Sequence, residues 1–66
     1  MEVDRQLVLA ARRLINGANV HRINTLIFQY EVAVAMRNKG KNLKVDPWEF
    51  ERRLRAIVYE RSKNTR

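Results

Sequence analysis

Apolar residues recur along this chain at helical spacing, and no stretch alternates as a half-buried strand would. Val3, Leu7, Ala10, Ala11 and Leu14 fall on one side of a helix predicted over residues 3–16. Glu2 and Asp4 stand at its start and Arg12 and Arg13 near its end, the arrangement that the helix dipole favours. Asn16-Gly17 predicts its stop, with the glycine supplying a left-handed cap. A second helix is predicted over residues 21–38, opened by Asn19 or Asn24 as N-cap and closed by Gly40. Val20, Ile23, Ile27, Tyr30 and Val34 share one of its faces, while Leu26, Phe28, Val32, Ala33 and Met36 spread over the others. Each of two neighbouring helices covers a stripe about 100° wide. That leaves Leu26, Phe28, Val32 and Met36 over, and they are assigned to a homodimer interface. The third helix, predicted over residues 47–62, has the clearest start: Asp46 as N-cap, Pro47 at the first helical position and Glu49 at the third. Phe50, Leu54, Ile57 and Val58 form its inner stripe, and residues 63–66 are expected to fray. The expected fold is one all-α domain over residues 1–66, a compact three-helix unit that dimerises through its central helix.

Length and composition sharpen this picture. A chain of 66 residues buries little core and often needs support from a disulfide, a metal or a partner subunit. With no cysteine, disulfides and thiolate zinc sites are excluded, and a partner subunit is the support that remains. The first residues lack the shape of a signal peptide. The most apolar stretch, residues 26–36, is broken by Gln29 and Glu31 and falls short of the roughly 20 residues of a membrane span. A cytoplasmic protein with no membrane partner is expected.

The net charge of +7 changes the picture most, because a small, strongly cationic surface attracts polyanions. Glu2, Asp4, Asp46, Glu49 and Glu51 lie near predicted helix starts, where the dipole accounts for them. Arg37, Lys39, Lys41 and Lys44 crowd the connection between the second and third predicted helices, whose loop is placed over residues 39–45, and no acid lies between Val32 and Val45. Compensation of a helix C-terminus covers Arg37 and Lys39 but not Lys41 and Lys44, so the loop is a candidate for phosphate contact. On the third helix, about 100° per residue aligns Trp48, Arg52, Arg55 and Tyr59 opposite the inner stripe. Arginine between outward aromatics suits phosphate contact and base stacking. The same residues would suit a protein interface, or the rings could pack on the first helix.

Catalysis is not expected. His21 is the only histidine and has no cysteine to join it; Ser62, the only serine, has no candidate base. Glu49 and Glu51 face different ways on a helix and make no acid–base pair. Gly17 and Gly40 stand alone, so no glycine-rich phosphate loop exists. Neither a cofactor nor a metal is expected.

Two patches resemble known DNA-binding folds. Arg13-Leu14-Ile15 with Arg22-Ile23-Asn24 resembles the first helix and loop of archaeal histones, and Gly40-Lys41 with Val45-Asp46 resembles their basic second loop. The central helix is much shorter than a histone pairing uses. Asn16-Gly17-Ala18-Asn19 resembles the turn of a helix-turn-helix, but the helix after it is too apolar to lie in a groove. The sequence therefore predicts a basic, non-enzymatic nucleic-acid-binding protein, DNA ahead of RNA, with a regulatory or architectural role. The alternative is a helical adaptor or inhibitor that docks on an acidic surface of another protein, such as a polymerase or nuclease.

Overall fold

The computed structural model describes residues 1–40 and 46–64, with side chains as far as Arg61. Three helices, α1 (Arg5–Arg12), α2 (Val20–Asn38) and α3 (Pro47–Asn64), form one compact all-helical domain, with no strand among the described residues.

α1 is shorter at both ends than its apolar pattern predicts. Asp4 is its N-cap, and the Leu7 N–H donates to Asp4 Oδ1 at 3.1 Å. At the other end the backbone tightens into three-residue bonds, Leu14 N–H to Ala11 O and Ile15 N–H to Arg12 O. Beyond it, asparagine side chains take over the backbone groups. Asn16 Oδ1 accepts from the Ala18 and Asn19 N–H groups, and Asn19 Oδ1 accepts from the Asn16 N–H. Asn19 Nδ2 donates to Leu14 O. Gly17 is therefore not the left-handed cap expected; the helix has ended at Arg12, five residues before it. Asn19 holds the N-cap position of α2, but its side chain is turned back to this connection and does not cap.

Gly40 does end α2 as expected, at φ 76°, the left-handed region that a side chain would strain. Asp46 opens α3, its Oδ1 accepting from the Trp48 N–H at 2.9 Å, with Pro47 buried behind it. Glu49 does not close a capping box; its carboxylate pairs with Arg53 one turn on. α3 continues two residues past the predicted end at Ser62, so Lys63 and Asn64 are helical rather than frayed.

The core joins Leu7, Val8 and Ala11 of α1, six residues of α2, and Phe50 and Leu54 of α3, with Ile57 and Val58 packed at its margin. α2 is central. Ile23, Ile27, Tyr30 and Val34 are buried as predicted, but so are Leu26 and Ala33, because α1 and α3 together cover more than one face. Leu26 is thus a core residue and is removed from the candidate dimer interface. Phe28, Val32 and Met36 stay exposed on the opposite side, Phe28 by 63%. Arg37 of α2 meets Trp48 of α3 at one end and residues 19–26 face residues 53–61 at the other, so the two helices run antiparallel.

Tyr30 is fully buried and its hydroxyl accepts from the Asp4 N–H at 2.8 Å. Arg55 donates to Asp4 Oδ2 at 3.0 Å and to Glu51 at 2.8 Å. Asp4 therefore caps α1, fastens it to α2 through Tyr30 and meets α3 through Arg55. The Asn38 side chain adds a clasp, accepting from the Met1 amine and donating to the Met1 carbonyl.

Candidate nucleic-acid interface

The sequence-predicted basic and aromatic residues come from two places in the chain, and the antiparallel pairing of α2 and α3 brings part of each set together. Arg37 lies within the last turn of α2, and Lys39 is its C-cap. Asp46 and Pro47 start α3 so that Trp48 is its second residue, beside the end of α2. The Arg37 guanidinium carbon sits 4.4 Å from the Trp48 ring centroid, a cation–π contact. This pairing joins the two predicted groups, and the sequence reading missed it; the signal was a cation and an aromatic at the facing ends of two helices joined by a short loop.

Trp48 remains 43% exposed under the arginine. A stacked guanidinium has one face covered, yet its N–H donors point outward in its own plane and stay free for a phosphate. Arg52 lies one turn along α3 from Trp48, on the same side. It is exposed and makes no ion pair among the described residues. The acids of α3 explain why: Glu49 takes Arg53 and Glu51 takes Arg55, each four residues on.

Arg55, on the same face, is already engaged within the chain. Its guanidinium is shared between Glu51 and Asp4, and its pKa is raised, first by the Glu51 hydrogen bond and then by the charges of Glu51 and Asp4. It is a fastening between helices rather than an open cation. Tyr59 is exposed at the far end of the same face, 66% accessible and about 16 Å from Trp48 at 1.5 Å per residue. The rings of Trp48 and Tyr59 do not pack against α1 as one reading allowed; both are exposed. Lys41 and Lys44 lie outside the described residues.

The resulting surface is an exposed cluster of Arg37, Lys39, Trp48 and Arg52 at one end of the α2–α3 pair. Among the described residues, no group of three or more His, Cys, Asp or Glu side chains could hold a metal ion, and no helix is long and apolar enough to cross a membrane. Compared with models of protein families, with curated proteins and with solved structures, the chain matches none.

Proposed function

We propose that this chain is a small, non-enzymatic nucleic-acid-binding protein with a regulatory or architectural role. Arg37, Lys39 and Arg52, joined by Lys41 and Lys44 of the residues that follow α2 in the sequence, would neutralise phosphates. Trp48 adds a stacking surface, and Tyr59 a second one for a longer strand. The observation that carries this reading is the Arg37–Trp48 stack with Arg52, which has no ion pair among the described residues, one turn away, on a chain of net charge +7. Cations held on carboxylates cannot release the counterions of a phosphate backbone as freely. Open cations beside an exposed ring suit both phosphate contact and sequence-tolerant stacking.

Fluorescence anisotropy with labelled duplex DNA, single-stranded DNA and RNA, across a salt series, tests it. Five phosphate contacts would give a slope of log affinity against log salt of about −4 to −5 on duplex. Arg37→Ala with Arg52→Ala is expected to remove about two units of that slope and most of the affinity. Binding to none of the three at low salt, or binding unaltered in the double variant, rejects the proposal.

The proposal extends to a homodimer through the outer face of α2. Phe28, Val32 and Met36 recur every four residues along that face and form one exposed apolar ridge. Between Thr25 and Met36 the face carries no lysine or arginine, so two cationic chains can meet there without opposing like charges. It lies away from the inner face of α2, leaving the Arg37–Trp48 end open for nucleic acid.

A further inference from the structure

At the end of the α2–α3 pair away from Trp48, the two helices line an open groove of about 840 Å³. Its floor is apolar, built from Ile23 and Leu26 of α2 and Ala56 and Ile57 of α3. Its walls are cationic: Arg22 stands on the α2 side, with Arg53 and Arg61 on the α3 side, and among the described residues Glu60 is the only acid lining it. Arg53 is paired with Glu49, whereas Arg22 is exposed and makes no ion pair among the described residues. Among the described residues no Phe, Tyr or Trp lines the groove, and His21 is its one ring.

From this lining we infer that the groove is a docking site for an acidic amphipathic helix of a partner protein. The apolar floor asks for an apolar ridge, which a phosphate backbone does not offer, and the groove has no Phe, Tyr or Trp for base stacking. The cationic walls ask for carboxylates on the flanks of that ridge. The groove follows α2 over residues 19–26 and α3 over residues 53–61, a length of about two helical turns. A partner with apolar side chains at i, i+3 or i+4 and i+7, and Asp or Glu beside them, matches both features. At about 100° per residue, Trp48 and Tyr59 share one face of α3 and Arg53, Ile57 and Glu60 lie on another, so nucleic acid and the helical partner would occupy different faces of one small molecule. The chain would then be a two-faced adaptor. This inference does not depend on the proposed nucleic-acid function, since none of the groove residues belongs to the Arg37–Trp48 cluster.

A displayed library of random peptides of about sixteen residues, selected on the folded protein, tests the groove. Ala56→Glu and Arg22→Glu change exposed side chains and keep the core, and circular dichroism confirms the fold of each. The expected result is enrichment of peptides with an apolar helical stripe flanked by Asp and Glu. Each variant should weaken their binding at least about tenfold. A peptide whose carboxylates are replaced by lysine should regain affinity for Arg22→Glu. No enrichment over the Ala56→Glu protein overturns the inference. So does enrichment of acidic peptides regardless of their apolar pattern, because charge alone then explains them. A loss of oligonucleotide binding in the same two variants, without peptide binding, would assign the groove to nucleic acid instead. Arg37→Ala with Arg52→Ala should leave peptide binding unchanged, which separates this site from the other.

Discussion

Tyr30 shows how one side chain carries both packing and polarity. Its ring is fully buried and its hydroxyl accepts from the Asp4 N–H. Tyr30→Phe keeps the ring but leaves that part-buried N–H without its acceptor, an expected loss of about 1–3 kcal/mol in denaturant unfolding. The Tyr30 pKa is raised, mainly because burial disfavours the phenolate; the Asp4 N–H opposes this, and the charges of Glu51 and Asp4 add to it. The folded state therefore holds the proton more tightly than the unfolded state. The resulting stability is fully present below the ordinary value of about 10 and is lost as pH rises through the higher folded value. In a Tyr59→Phe background, phenolate absorbance is expected to rise above pH 10 together with a loss of helical circular dichroism. A phenolate that forms at the ordinary value while the helices stay intact would show that Tyr30 is not sealed as described.

Arg52 and Arg55 divide the roles that their shared helical face suggested. Arg52→Ala is expected to lower oligonucleotide affinity and leave the melting temperature nearly unchanged. Arg55→Ala is expected to lower the melting temperature and leave the salt slope of binding unchanged; the reverse pattern would return Arg55 to the interface. Part of this was legible in the sequence, since Glu51 stands four residues before Arg55. The other partner, Asp4, lies 51 residues away and only the tertiary fold brings it there. The Arg37–Trp48 stack was hidden for the same reason: periodicity assigns faces within one helix and says nothing of which helix ends meet.

Among the elements, α3 was the most legible, because Asp46 and Pro47 fix a start by local chemistry alone. α1 was less so. Its apolar period continues to Leu14, but Asn16 and Asn19 offer the backbone competing hydrogen bonds, and the helix yields to them after Arg12. On α2 the existence and end of the helix followed from its pattern and from Gly40, but the division between core and surface did not. Leu26 is covered because α1 and α3 approach from two sides, whereas Phe28, Val32 and Met36 are beyond the reach of either. This remainder carries the dimer proposal. Sedimentation equilibrium is expected to give twice the chain mass for the native protein and the single-chain mass for Phe28→Glu, with the helical signal kept because Phe28 lies outside the core. A native protein that remains a single chain at high micromolar concentration rules the dimer out.

Across the whole molecule, four of the seven acids are placed where they serve the fold, and much of the positive charge is left at the surface. Asp4 and Asp46 cap helices, while Glu49 and Glu51 hold Arg53 and Arg55. Arg37, Lys39 and Arg52 are spared these pairings and gather at one end of α2 and α3. Trp48 is the only tryptophan in the chain and sits within that group, so its emission reports on the proposed interface without any label. The most direct test is to titrate the native protein with an unlabelled single-stranded oligonucleotide and follow that emission at rising salt. Quenching should saturate at low salt, and its midpoint should move to higher concentration with a slope near 3 to 4 for five contacts on a single strand. An emission that stays constant while binding is detected by another probe would place the nucleic acid elsewhere on the protein, and no binding at all would end the proposal.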